Sequence, residues 1–220
     1  MSGNSTSLTR SALDRLPIFP LPGMVFFPHT LLPLHIFEPR YRAMLERCIV
    51  DSSPLAIVMI EPGHEGEQPG DPPIVEVASV GELVFHEKLP DGRFHIVLRG
   101  LARVTLEEVP SDDPYRIARA AVLADRLPDD TAALVEAVAA LRVCIDSLVH
   151  RWPRTAETLR KLVQDTDDGA ILADRLTPLI FHDPLVRQEL LCCVNVAERV
   201  ARVLDRLTGI LAGTSTEAVH

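Results

Sequence analysis

The groups in this chain able to do chemistry are histidines, four cysteines and a few adjacent carboxylates. His86 and His95 come closest to a site, because they fall on the two arms of one expected hairpin and on the same outward face. Two imidazoles can begin a metal centre, but a zinc site takes three or four protein ligands and no others accompany this pair. They read as surface histidines. His35 sits in an apolar stretch and reads as a hydrogen-bonded structural residue. Asp112-Asp113 and Asp167-Asp168 are paired carboxylates of the kind used for acid–base work, yet each immediately precedes a turn or a helix, where such groups cap free amides. Ser79 precedes Val80-Gly81 without the flanking glycine of a G-x-S-x-G nucleophile turn. No G-x-x-x-x-G-K-[ST] phosphate loop occurs, and the two lysines, Lys88 and Lys161, do not follow glycine. Cys48, Cys144, Cys192 and Cys193 fall in expected helices without a C-x-x-C pair, and bridging adjacent Cys192 and Cys193 would be strained. Reduced, mostly buried thiols in a cytoplasmic chain are expected.

What remains is apolar surface. Met24, Phe26, Phe27, Phe37 and Tyr41 are more large apolar groups than a small barrel easily hides. An exposed apolar groove suits the recognition of unfolded chains, which offer little else in common. These five residues form the candidate binding surface.

The elements that must position them follow from one stretch. Leu16 to Phe37 is uncharged for 22 residues, long enough to cross a bilayer as a helix. Pro17, Pro20, Pro22, Pro28 and Pro33 exclude that, since each removes a backbone donor and clashes with the preceding helical turn. Strands are expected near Pro17–Phe19, Met24–Phe27 and Leu31–Phe37, the last buried on both faces. Pro39 opens a helix with Tyr41, Met44, Leu45, Cys48 and Ile49 on one side. Leu55–Ile60 is a continuous apolar run suited to a central strand. Residues 61–73, rich in proline, glycine and acids, should form a solvated loop. Ile74–Leu83 follows as strand, with Gly81 at a bulge or bend. Leu83–Lys88 and Arg93–Arg99 make the clearest hairpin, around Leu89-Pro90-Asp91-Gly92, with Leu83, Phe85, Phe94, Ile96 and Leu98 inward. Gly100 should end its second arm. Ala102–Glu108 and Tyr115–Leu123 complete seven or eight short strands with one inserted helix, as in a closed or nearly closed barrel.

Beyond Asp125–Asp130 the period changes to helical. Asp129 or Asp130 can cap a long helix with Leu134, Val138, Leu141, Ile145, Leu148 and Val149 as its stripe, ended by Trp152-Pro153. Shorter helices are expected from Thr155, from Asp167 or Asp168 to Pro178, and from Asp183-Pro184. A last one follows Asn195, with Glu198 completing a capping box. Four or five helices make a bundle. The charge is −9 and evenly spread, twelve basic against seventeen acidic residues over 1–127 and ten against fourteen beyond. No basic half exists to neutralise phosphates, so nucleic acid is a disfavoured partner.

Several stretches resemble a known family. LPIFPLPGMVFFPHTLLPLHIFEPRYRAML (Leu16–Leu45), Val80-Gly81, LPDGR (Leu89–Arg93) and RGLARV (Arg99–Val104) are similar to the amino-terminal substrate-binding domain of Lon proteases, above all its stand-alone bacterial version. ILADRL (171–176) and QELLCCVNVAERVARVLDRL (188–207) are similar as well. The resemblance covers roughly residues 14–212 and implies an α+β protein. Its expected parts are a PUA-like small β-barrel subdomain with one inserted helix (14–123) and an all-α helical-bundle subdomain (124–212), with tails at 1–13 and 213–220. It also implies a non-enzymatic module, without cofactor or metal, that binds hydrophobic or unfolded polypeptide segments or a partner protein in quality control. The ATPase and Ser-Lys protease chemistry of the full enzyme does not carry over to these residues. The family has no short binding motif to transfer, so the five apolar residues rest on their chemistry alone. The PUA-like fold also suggests an RNA-binding alternative, which the negative charge opposes, and a cryptic hydrolase is the weakest reading.

Overall fold

Prolines in the uncharged stretch force it into extended structure, and their placement fixes where its strands can pair. In the computed structural model, which describes residues 8–67, 70–151 and 153–213, β1 spans Leu16–Leu21 and β2 spans Leu31–Ile36. β1 pairs in parallel with β3 (Leu55–Met59) from Ile18 onward, and antiparallel with β6 (Ile117–Val122) at Leu16 and Pro17 only. The Ile18 amide donates to Arg116 on the β6 side, and the Leu21 carbonyl accepts from Ile60 on the β3 side. Alternation therefore aims the nitrogen of Pro17 toward β3 before that ladder starts, and that of Pro20 toward β6 after that ladder has ended. Both prolines sit in an interior strand without costing a ladder bond.

The hairpin forms around the expected turn, with Gly92 at φ 82°. Its arms are longer than the sequence suggests. β4 runs Val77–Lys88 and β5 runs Phe94–Val109, passing straight through Gly100 instead of ending there. The strand order is β2-β5-β4-β3-β1-β6, and β6 returns to pair with β5, closing a barrel from which β2 projects. β5 has length for both tasks: its first half holds β2 and its second half holds β6, with β4 along the other side. Six strands result, where seven or eight were expected, because the shorter segments fuse.

Helix α2 (Pro39–Asp51) lies over one side, burying Tyr41, Met44, Leu45 and Cys48. Alternate residues of the central strands serve two cores. Leu55 and Ile57 pack with the α2 residues, while Leu16, Ile18, Ala56, Val58, Ala78, Val80, Val104 and Ala118 fill the barrel. This double burial explains the unbroken apolar run of β3. Within the amino-terminal region expected as a tail, Arg10–Asp14 is a short helix, α1, capped by the Thr9 hydroxyl, and residues 1–7 lie outside the described residues.

The chain divides into two compact units, residues 1–123 and 124–220. The second contains α3 (Ala132–Arg151), α4 (Pro153–Val163), α5 (Gly169–Ile180), α6 (Pro184–Cys192) and α7 (Val196–Ala212). The stripe on α3 is buried against α5 and α7. Asp168, Asp183 and Asn195 cap α5, α6 and α7 by accepting from first-turn amides, which is where those side chains spend their polar groups. Helix α5 continues two residues past Pro178, and Arg187 donates to the Pro178 carbonyl at 2.8 Å. Arg199, fully buried, donates to both carboxylate oxygens of Asp125 (2.8 and 2.9 Å) and lies 3.5 Å from buried Asp174. Trp152, expected as part of a helix stop, and the last residues of the expected tail (214–220) lie outside the described residues.

Candidate binding surface

Of the five apolar residues proposed as a surface, three are core. The Met24–Phe27 segment is not a strand. It crosses the barrel as irregular chain held at several points: the Ser79 hydroxyl donates to the Phe26 carbonyl (2.6 Å), Thr30 to the Phe27 carbonyl (2.7 Å) and the His29 amide to Gly100 (3.0 Å). A Cβ at Gly81 would lie 2.8 Å from the Phe26 ring, and one at Gly100 would lie 2.1 Å from the Phe27 carbonyl oxygen. The two glycines leave room for this segment to lie close, Gly81 under the Phe26 ring and Gly100 under the Phe27 carbonyl, and both rings are buried. Tyr41 is also buried, its ring 4.2 Å from that of Phe19 and under the Arg40 guanidinium at 4.6 Å. Burial pushes its hydroxyl pKa up. Met24 is half-buried against the same cluster. Phe37 alone stands open, with 60% of its surface exposed.

Phe37 belongs to a face that the sequence pattern did not show. β2 is exposed on one side, not buried on both: Leu31, Pro33 and His35 point outward, while Ile36 is buried and Leu32 and Leu34 are half-buried. Cross-strand partners share a face, and the pairings give three rows: Leu31, Arg99 and Glu82; Pro33, Val97 and Phe85; His35, His95 and Glu87. Leu31 is 64% exposed and Phe85 51%. Phe85 was expected inward with Leu83. A bulge between Leu83 and Phe85 pairs Leu83 with Leu98 but Phe85 with Val97, turning the ring to solvent.

The same shift separates the histidine pair. His86 pairs with Ile96 and His95 with Glu87, so the two imidazoles lie on opposite faces. His35, expected as a structural residue amid apolar groups, is instead exposed and directly opposite His95, with ring centroids 5.0 Å apart. His35 lies 6.0 Å from the Phe37 ring, and His95 Nδ1 lies 3.8 Å from Glu87. Among the described residues no group of three His, Cys, Asp or Glu side chains is placed to hold a metal. The Arg99 guanidinium is engaged by Glu82, with Nε donating at 2.8 Å. The face carries apolar groups at Leu31, Pro33, Val97 and Phe85, with the His35, His95 and Glu87 row between them and Phe37, and the Arg99–Glu82 pair beside Leu31.

Two concave sites of this unit have a mixed or polar lining. An open cleft of about 900 Å3 beside the end of α2 is lined by the charged groups Arg15, Arg47, Asp51 and Asp113 together with apolar Ile49, Leu83 and Ile117. Both arginines are taken, Arg15 by Asp113 at 3.3 Å and Arg47 by Asp51 at 2.5 Å. A smaller cavity of about 180 Å3 is flanked by Arg40, Arg116, Tyr41 and Tyr115. Large apolar side chains stand more than half exposed on the outer sheet face, at Leu31, Phe37 and Phe85. A sequence signal for that face existed in the alternation of Leu31, Pro33, His35 and Phe37, but pattern alone could not show that Leu31, Pro33 and His35 are exposed. No helix among the described residues is long and apolar enough to cross a membrane.

Comparison with known proteins gives a consistent picture. The family model described as the substrate-binding domain of ATP-dependent protease La (Lon) matches residues 15–209. The Lon protease of Nitratidesulfovibrio vulgaris is 27% identical over 208 residues, which cover 92% of this chain and 25% of that protein. That of Chloroflexus aurantiacus is 29% identical over 195 residues, covering 87% and 23%. The chain thus spans about a quarter of the length of these relatives. Among solved structures, the amino-terminal domain of a Mycobacterium avium complex Lon protease superposes with a TM-score of 0.68 at 16% identity, covering 88% of this chain and 98% of that one. A Lon amino-terminal domain protein from Xanthomonas campestris gives 0.59 at 20% identity, covering 87% and 97%. Both likenesses are of fold and extend across the sheet and the helices of this chain.

Proposed function

Since the chain belongs to the family of Lon substrate-binding domains, we propose that it is a module that captures hydrophobic or unfolded polypeptide segments in protein quality control and works by binding alone. The observation that carries this reading is the outer face of β2, β5 and β4, where Leu31, Phe37 and Phe85 are all more than half exposed. Apolar patches bordered by polar groups mark interaction sites, and an unfolded chain is the partner with most apolar groups to offer. All four thiols are free, which fits a reducing cytoplasmic setting.

Fluorescence anisotropy with labelled, unfolded, Phe- and Leu-containing peptides tests the proposal. Binding in the micromolar range is expected, with competition by other unfolded chains and little by folded proteins. Phe37→Ser and Phe85→Ser should each weaken it about tenfold, as loss of a buried aromatic contact implies. Absence of binding at high micromolar peptide would overturn the reading.

A further inference from the structure

We propose that a client segment binds this domain as an added β-strand along the open edge of β2, which the structure leaves unpaired in a definite pattern. The inference rests on the polypeptide-binding reading and fixes its geometry. β2 pairs with β5 through all six residues from Leu31 to Ile36, and no described strand lies along its other side. Hydrogen bonding sets the phase. The Gly100 amide donates to the Thr30 carbonyl, so the even-numbered residues Leu32, Leu34 and Ile36 turn their backbone groups toward β5. Leu31, Pro33 and His35 therefore aim theirs outward. The edge offers three carbonyls and two amides, Pro33 having none.

An unpaired edge of this kind is complementary to one shape, an extended backbone. A strand laid there continues both faces of the sheet. Alternate side chains of the client would extend the exposed apolar rows at Leu31, Pro33 and Phe37, and the others would meet half-buried Leu32 and Leu34. The client is accordingly a short extended segment with large apolar residues at every second position. A second copy of this chain fits the edge less well. A two-fold pairing of β2 with itself repeats Pro33 on both sides and loses its donor twice, and it brings together two chains of net charge −9. An unfolded client carries neither handicap.

Two perturbations separate main-chain capture from adhesion by side chains alone. The first alters the peptide and leaves the protein intact. A labelled seven-residue peptide with alternating Phe and Thr is compared with two versions N-methylated on its odd or its even amides. Strand addition uses amides of one phase only, so one methylated peptide should bind at least tenfold more weakly and the other within about threefold of the parent. The second alters the protein. His35→Pro removes an outward amide and leaves the β5 ladder whole, as Pro33 already does, whereas His35→Thr removes the same imidazole and keeps the amide. His35→Pro should weaken binding about fivefold relative to His35→Thr. If both methylated peptides and His35→Pro bind like their references, clients stick by side chains and strand addition is wrong, while the polypeptide-binding reading stands. If the parent peptide does not bind at all, both fail. Sedimentation showing a wild-type dimer that His35→Pro dissociates would assign the edge to a second copy and overturn the proposal.

Discussion

Phe27 and Phe37 are ten residues apart in the same uncharged stretch, and truncating each should have opposite consequences. Phe27 is 1% exposed, and its backbone carbonyl lies against Gly100. Phe27→Ala removes a fully buried aromatic side chain and should cost about 3–5 kcal/mol. Phe37 is 60% exposed, so only about two-fifths of its surface leaves water on folding. Full burial of such a side chain contributes roughly 1.5–3 kcal/mol, so Phe37→Ala should cost about 1 kcal/mol or less. Urea unfolding followed by circular dichroism measures both, with the m-value checked for constancy. Anisotropy on the same preparations measures peptide binding. Phe37→Ala is expected to keep its midpoint within a few tenths molar of wild type yet bind about tenfold more weakly, and Phe27→Ala to show a large midpoint loss. If Phe27→Ala were the mild change in stability and the one that abolished binding at a temperature where it stays folded, the assignment of the two rings would be reversed and the argument refuted.

Gly100→Ala would place a methyl 2.1 Å from the Phe27 carbonyl oxygen, a backbone atom that cannot swing aside, and should destabilise by about 1–3 kcal/mol or more. An unchanged urea midpoint would contradict the close crossing. Arg199→Ala removes the buried guanidinium that lies 3.5 Å from Asp174 and should cost about 3–5 kcal/mol, whereas Arg199→Met should recover part of that; equal losses in urea melts would rule out the charge as the cause. Burial pushes the Cys48 thiol up to about 11. An unfolded thiol ionises near pH 9 while the native one keeps its proton, so this group's stabilisation is whole below about pH 8 and declines between about 9 and 11, by about 2–3 kcal/mol in total. The difference between wild-type and Cys48→Ala stability curves should show that fall. Maleimide labelling should modify exposed Cys192 promptly and Cys48 only on unfolding.

Local chemistry made much of this architecture readable. Five prolines ruled out a helix over 16–37, an unbroken apolar run marked β3, and Asp168, Asp183 and Asn195 announced the helices they cap. The errors share a cause in contacts between residues distant in sequence. Phe26 and Phe27 have no alternation to reveal their burial, because the glycines beneath them stand at 81 and 100. Phe85 and His86 were assigned to the wrong faces since one extra residue at a bulge inverts every side chain after it. The outer face of β2 looked buried because its residues are apolar, and composition says nothing about whether a strand has a neighbour. Phe37 was legible as a candidate only for the general reason that large apolar groups were numerous.

β5 is the one strand with three partners, bonded to β4 from Phe94 to Thr105 and to β2 and β6 toward its two ends. The projecting strand and the closing strand therefore load one sixteen-residue beam, each at its own half. A grip on the rim is expected to reach the far side of the cylinder through that beam, so amides on β6 should exchange more slowly with deuterium once a client is held some distance away.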